Sequence, residues 1–376
     1  MLADDVKVIS VDDHVVEPPN VWTDRLPAKY RDLGPRVVEL DGHRLAWAWE
    51  DRRYLVELMG SPETRNFRTD GTGEDFYARH FDDMAPGAYE PNARLAAMDE
   101  DGVHAQLTFP TFPRFGGTRF LEGKDKDLSL LCVQAWNDWI LDEWCATAPD
   151  RFIPMTMIPM WDRVASVAEI QRCAAKGAKS ITFPENPAPL GLPSYWTDAW
   201  DSVFSAAEEA DIVLSMHIGT SGSLMAPSPE SSEAVGISLC GVNSMSACTD
   251  LIYSGLLHRH PRIKIALSEG GAGWVPYIVE RMEYTWERTR LGVDKSIPPS
   301  ELFRRHFWAC FISDFTAIEQ RHTIGLDKLM FESDYPHNDS NWPNSRKVLS
   351  EMMHDVPEAE ARQIAETNAR KLYNFF

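Results

Sequence analysis

Cysteine pairs spaced as CxxC are missing from this chain, and the six cysteines present (Cys132, Cys145, Cys173, Cys240, Cys248 and Cys310) are scattered. That usage points to free, mostly buried thiols in a reducing cytosol. No run of about 18 apolar residues occurs, which excludes a membrane-spanning helix. The opening MLADDVKVIS has neither the basic nor the apolar region of a signal peptide. A cytoplasmic protein without a membrane partner is expected. Positive charge is scarce: 37 Lys and Arg face 57 Asp and Glu, a net charge of −20, and no Lys/Arg-rich run interrupts that field. Such a surface repels polyphosphate backbones, so nucleic acid is excluded as a partner. Glycine is absent from Val11–Pro19, after the first predicted strand. This ranks the glycine-rich phosphate turn of a doubly wound dinucleotide fold well below the alternative that follows. Internal repeats and low-complexity tracts are also missing.

What the 376 residues do contain is 44% hydrophobic composition, enough for a large core. Short apolar runs alternate with longer amphipathic segments, the pattern of βα units on a parallel sheet. The runs are Val6–His14, Ala105–Phe112, Phe152–Met160, Ala178–Pro184, Ile212–Thr220, Ile263–Gly270, Phe307–Asp314 and Lys328–His337. Helical patterns cover Asn92–Asp101, Leu128–Ala146, Asp162–Lys176, Trp196–Ala210, Trp274–Arg288 and Phe315–Ile324, with a closing pair of helices through Phe376. Eight repeats predict an α/β fold, a distorted (β/α)8 barrel forming one domain over residues 1–376. Two insertions break the alternation. Residues 36–88 read as a hairpin about Asp41-Gly42 followed by a mobile loop at Ser61–Arg79, and residues 221–250 read as a Ser/Met/Gly-rich lid. Both follow the carboxyl end of a strand, where barrel loops build active sites.

The strand ends carry the chemistry. Asp12 and His14 are one residue apart and project to the same face of the first strand, with Asp13 on the other. His217 ends the fifth run, Glu269 the sixth, and Asp334 lies at the end of the eighth. Singly, a strand-end Asp reads as a helix cap and a lone His as a satisfied rim residue. Together, two imidazoles and three carboxylates on one rim favour a metal, with Asp12, His14, His217, Glu269 and Asp334 as ligands. This donor set suits a divalent transition metal (Zn, Fe or Mn), as one ion or two. One dication leaves the three carboxylates in excess, so an uncoordinated Glu269 becomes a proton shuttle; two make it a ligand. His337, with Asp334 and Glu269, is a catalytic candidate or an exposed loop histidine, and Asp314 is a substrate contact or the cap of the helix from Phe315. Phe109, Phe112, Phe183, Trp274 and Trp342 are candidates for an apolar pocket wall, with core packing as the competing role.

These residues resemble the amidohydrolase superfamily, in the branch that includes aminocarboxymuconate-semialdehyde and γ-resorcylate decarboxylase types. The resemblance is carried by Asp12, His14, Glu17 and Pro18, by MDEDGV at Met98–Val103, and by HIG at His217–Gly219. HPRIKIALSEGG at His260–Gly271, ESDYPH at Glu332–His337 and TNARKLYNF at Thr367–Phe375 extend it over most of the chain. It implies a distorted barrel, a catalytic divalent metal, a homodimer, and hydrolysis or nonoxidative decarboxylation of a small molecule. The chain departs from the pattern at Asp12, in place of a first histidine, and at Glu269, where decarboxylase-like members carry histidine. Lys179 lies at the amino end of the fourth strand, so a carbamylated lysine bridge is not expected. The leading expectation is a metal-dependent hydrolase using a metal-activated water on an activated carbonyl (ester, thioester, amide or C–C bond) of a partly apolar substrate. The alternative is a metal-dependent decarboxylase of an aromatic or enoic acid, and a third reading is a catalytically silent metal- or ligand-binding barrel.

Overall fold

The computed structural model describes residues 2–56, 58–59, 77–222, 224–289 and 292–376. Eight parallel strands run in sequence order around a barrel: β1 (Val8–Val15), β2 (Val103–Pro110), β3 (Phe152–Ile153 and Met155–Thr156), β4 (Ser180–Thr182), β5 (Val213–His217), β6 (Lys264–Ser268), β7 (Phe307–Phe311) and β8 (Leu329–Phe331). The ladder is interrupted at two seams. Within β3 the break falls at Pro154, which has no N–H to donate; its first half pairs with β2 and its second with β4. Between β8 and β1 the strands join just past the end of β8, where His14 N–H donates to Tyr335 O at 2.8 Å and Asp334 N–H to Asp12 O at 2.9 Å. The closing bonds therefore hold the site residues themselves.

Six of the eight predicted runs contain the observed strands and the first two overlap theirs to within two residues, because each is largely apolar and can be buried only between the barrel interior and the helices. The interior is filled by Ile9, Val11, Leu107, Phe109, Met155 and Met330 among others. The C-terminal residues Leu372, Tyr373 and Phe375 pack into the same cluster, with Tyr373 Oη 3.3 Å from Ser215 Oγ. Because Ser215 lies two residues before the end of β5, this plug fills the barrel from below and leaves the carboxyl-end rim open for chemistry.

The first insertion forms the expected hairpin and adds a third strand: Arg36–Leu40, Arg44–Trp49 and Arg52–Leu55 pair antiparallel. Its turn uses Gly42 and His43 at φ 76° and 52°. Trp47 and Trp49 are buried, and Trp47 packs on Trp22 and Phe112 with ring centroids 5.1 and 4.8 Å apart. The mobile loop expected at Ser61–Arg79 lies mostly outside the described residues; of it, Tyr77–Ala78 pairs with Leu58–Met59. The second insertion differs from the expected loop. Glu233–Ser238 and Cys240–Tyr253 are helices, and the second buries Ser244, Ala247, Cys248, Leu251 and Ile252 at helical spacing. Small residues conceal that stripe from a hydrophobicity pattern. They also let the helix approach closely: a Cβ on Gly241 would stand 2.8 Å from Gly270 O.

Candidate metal centre and cavity

Four strand ends deliver five groups to one point. Asp12 lies within an irregularity of β1 between Ser10 and Asp13, and His14 follows it, where the register with β2 is regular from Asp13 onward. His217 is the last residue of β5, Glu269 follows β6, and Asp334 lies three residues past β8. The two imidazole Nε2 atoms are 3.1 Å apart. His14 Nε2 is 3.4 Å from Asp12 Oδ1 and 3.3 Å from Asp334 Oδ1. His217 Nε2 is 3.6 Å from Asp12 Oδ2 and 3.1 Å from Glu269 Oε2. Donors bound at about 2.1 Å to one ion with tetrahedral or octahedral angles are about 3.0–3.5 Å from each other, so these spacings match a common ion. Asp12, His14 and His217 can offer ligand atoms that all lie within 4.8 Å of one another, and so can His14, Asp334 and His337.

The polar accounting agrees. Both Asp12 oxygens, Asp334 Oδ2 and His14 Nδ1 are buried without a hydrogen-bond partner. An unsatisfied buried carboxylate is costly, and a dication supplies what is missing. His217 Nδ1 lies 2.6 Å from Ile218 O, which assigns the ring proton to Nδ1 and turns the Nε2 lone pair toward the cluster. Burial lowers His14, and the neighbouring His337 adds to this; burial lowers His217 to about 4. Both rings are therefore neutral at pH 7, as metal ligands must be. Burial raises Asp12, reinforced by the negative charges of Glu332, Asp334 and Glu269. Burial also works against the Asp334 carboxylate, but His337 and His14 beside it hold it below its ordinary range. His337 Nδ1 is 2.9 Å from Asp334 Oδ1, and its ring lies on that of His14 with centroids 3.8 Å apart.

Two of these acids occupy backbone positions that side chains avoid. Glu269 and Asp334 have φ of 60° and 55°. The conformation costs of order 1 kcal/mol each and must be held by its surroundings. Glu332 holds Glu269: both its oxygens accept from Glu269 N–H at 3.1 Å. Burial raises the Glu269 carboxyl well above the usual range, with Asp334 and Glu332 adding to the effect, yet 19% of its side chain stays open. That opening leads into a cavity of about 580 Å³ lined by Glu269, Glu332, Trp274, Phe311, Asp314 and Asp339 among others.

The remaining candidates divide by position. Trp274 and Asp314 line this cavity. Asp314 also caps the helix from Phe315 through Ala317 N–H, and its other oxygen accepts from Ala272 and Gly273 N–H at 2.9 and 2.7 Å, so the cap stands on the cavity wall. Phe109 lies under the centre, 5.8 Å from the His14 ring and 5.1 Å from that of His217. Phe112 instead packs among Trp22, Trp47 and Phe120, Phe183 among Tyr195, Trp200 and Phe204, and Trp342 against Tyr335 with its indole N–H on Ala97 O. None of these three lines the cavity.

Several residues at the centre were not anticipated. Glu332 shares the parity of Asp334 on the final strand, a signal present in ESDYPH. Glu185, past β4, accepts from Gly219 and Thr220 N–H and from Asn243, fixing the turn after His217. Phe115 has its ring 4.4 Å from that of His14 and 4.3 Å from that of His217. Arg94, fully buried, donates to His14 O, Gly87 O and Gln106 Oε1.

Comparison with known proteins gives the family. The chain is 25% identical over 316 residues to a γ-resorcylate decarboxylase of Rhizobium sp. (strain MTP-10005), covering 75% of this chain and 86% of the relative. An amidohydrolase from Mycobacterium avium subsp. paratuberculosis K-10 superposes with TM-score 0.77 at 24% identity, over 98% of this chain and 99% of that one. A dihydroxybenzoic acid decarboxylase from Polaromonas sp. JS666, solved with bound manganese and 2-nitroresorcinol, superposes with TM-score 0.63 at 17% identity, over 98% and 97% of the two chains. The family model for amidohydrolases matches residues 38–375, so it begins after Asp12 and His14, and those two residues join the matched part through the barrel closure. A match over most of the length, on a barrel of this topology, means that the chain belongs to the amidohydrolase family.

Proposed function

We propose that this amidohydrolase-family enzyme is a metal-dependent decarboxylase of an aromatic acid, with Asp12, His14, His217 and Asp334 holding one divalent ion and Glu269 moving the proton. The observation that carries this reading is the place of Glu269, between the ligand cluster and the cavity, 3.1 Å from His217 Nε2 and with 19% of its side chain open. The curated relative over three-quarters of the chain is a decarboxylase, which supports this chemistry over the hydrolysis ranked first from sequence. When bound, the ion supplies positive charge that orients and polarises a carboxylate beside its neighbouring hydroxyl. Glu269 then delivers its proton to the ring carbon bearing the carboxylate. The bond from that carbon to the carboxylate breaks, its electron pair restores the ring, and CO2 leaves; Glu269 regains a proton from solvent through its open face. Glu332 positions Glu269 through the backbone, and His337 braces Asp334 and His14. Phe115 and Phe109 keep water from the two imidazoles. A cytosolic homodimer acting on a small aromatic acid completes the reading.

The test is product analysis with ortho-hydroxylated benzoates in D2O and, separately, in ¹⁸O-labelled water. The expected result is CO2 together with deuterium at the vacated ring carbon. Turnover of an ester or amide with ¹⁸O in the acid product, and no CO2 from any acid offered, would overturn the proposal.

A further inference from the structure

Glu185 stands one peptide unit away from His217. The peptide that joins Ile218 to Gly219 is held at both ends: its carbonyl oxygen lies 2.6 Å from His217 Nδ1, and its N–H donates to Glu185 Oε1 at 3.0 Å. The C=O and N–H of a trans peptide are coplanar and point in opposite directions, so whatever orients one orients the other. A carboxylate on the N–H side also draws more negative charge onto the carbonyl oxygen, which strengthens the bond from the imidazole. Metal-ligating histidines ordinarily donate their second ring N–H to a carboxylate or a carbonyl, and that partner fixes the tautomer and raises the basicity of the ligating nitrogen. Here the carbonyl is the partner and the carboxylate stands behind it. The alternative position for the ring proton has an acceptor of its own, since His217 Nε2 is 3.1 Å from Glu269 Oε2. Something must tip the balance toward Nδ1.

The surroundings of Glu185 keep its carboxylate in place. The side chain is buried, Asn243 Nδ2 donates to Oε1 at 2.9 Å, and the Thr220 N–H and hydroxyl donate to Oε2 at 3.1 and 2.6 Å. In return, Glu185 N–H donates to Thr220 Oγ1 at 3.0 Å. Four donors thus converge on two oxygens, from the turn after β5 and from the helix Cys240–Tyr253. An isosteric glutamine would not serve, because its NH2 group would meet either Gly219 N–H or Thr220 N–H, whichever way the amide turned.

We infer that Glu185 is a positioning residue of the metal centre: through the Ile218–Gly219 peptide it holds His217 in the Nδ1–H tautomer and aims the Nε2 lone pair at the ion. The inference rests on the ligand set of the proposed function and not on the reaction assigned there.

Two measurements on the full chain test it. In metal-free wild type labelled with ¹⁵N-histidine, the His217 ring signals, identified by their loss in His217→Gln, should show the proton fixed on Nδ1; in Glu185→Gln the two tautomers should mix. Mn²⁺ affinity, read by competition with a chelator, should fall about 10-fold in Glu185→Gln, the lower end of the range for losing an outer partner, and further in His217→Gln. Should Glu185→Gln not fold, Glu185→Asp, one methylene shorter, carries the same comparison. A wild-type His217 with its proton on Nε2 overturns the inference whatever the variants do. Weakened metal binding with an unchanged tautomer also overturns it, because Glu185 then acts only on the fold. Wild-type affinity in Glu185→Gln, with metal lost from His217→Gln, overturns the relay and leaves the ligand set standing. Wild-type affinity in His217→Gln overturns the ligand set, and the inference falls with it.

Discussion

Among the described residues, histidine and carboxylate gather with the composition of a metal site in two places, and these differ in everything else. Asp12, His14 and His217 are fully buried at the barrel mouth, whereas His43, His80 and Asp82 cluster on the surface beside the inserted hairpin. There His43 is 59% exposed and Asp82 79%. His80 Nδ1 is already engaged, accepting from Asp82 N–H at 3.1 Å. The His43 and His80 rings are stacked with centroids 4.1 Å apart and planes 19° from parallel, so their lone pairs run side by side and do not converge. At the mouth the His14 and His217 rings meet at 80° with their Nε2 atoms facing. Residue type is shared by both groups. Convergence, burial and unsatisfied oxygens belong to one.

That contrast gives the largest expected effect. His14→Ala should weaken metal binding by at least about 100-fold, since loss of an outer partner alone costs 10–100-fold, and activity should vanish with the metal. His43→Ala should leave metal content and turnover unchanged. Elemental analysis after dialysis against a weak chelator reads both, and circular dichroism should show an intact barrel in each, because the core is built without the ion. Retention of metal by His14→Ala together with its loss from His43→Ala would reverse the comparison.

A smaller effect separates the residues inside the buried group. Glu269→Gln preserves volume and removes the transferable proton, so turnover should fall by ~10²–10⁴-fold while metal content holds. Should metal and activity fall together, Glu269 is a ligand, and the two-ion arrangement replaces the one-ion one.

The barrel and the rim acids were legible because both rest on strong local rules. Doubly buried strands must be apolar runs, and strand parity puts Asp12 and His14 on one face with Asp13 on the other. Asp13 indeed turns away, its Oδ1 accepting from Ser333 Oγ, Tyr335 N–H and Gln106 Nε2. Less legible were features set by tertiary partners. The helix Cys240–Tyr253 was hidden by small residues whose value lies in close approach to Gly270. Phe112 and Trp342 read as pocket walls because proximity to a strand end does not specify which way a ring turns. Glu185 went unassigned because holding backbone N–H groups leaves no sequence spacing of its own, whereas Glu332 carries only the parity it shares with Asp334, which does not distinguish a ligand from a residue that holds a backbone N–H.

The smallest effect tests whether a raised acid pKa marks function at all. Asp101 ends the helix Pro91–Asp101, immediately before Gly102 and β2, so it lies at the amino-end face of the barrel, opposite the metal centre. Burial raises it to about 6, although its Oδ1 accepts from Ser345 N–H at 2.7 Å. The folded protein therefore binds this proton more tightly than the unfolded chain does. The stability it contributes is fully present below about pH 4 and is lost as pH rises through about 6. Asp101→Asn keeps the acceptor and removes the titration. Wild type should lose up to about 2 kcal/mol relative to the variant between pH 4 and pH 7, read as a change in urea midpoints, while kcat at pH 7 stays the same. A pH-independent difference between the two proteins would mean that Asp101 titrates alike in both states. The expected result shows burial raising a carboxyl that does no chemistry. What distinguishes Glu269 is then its open face on a cavity and its imidazole neighbour, and a raised pKa counts only in that company.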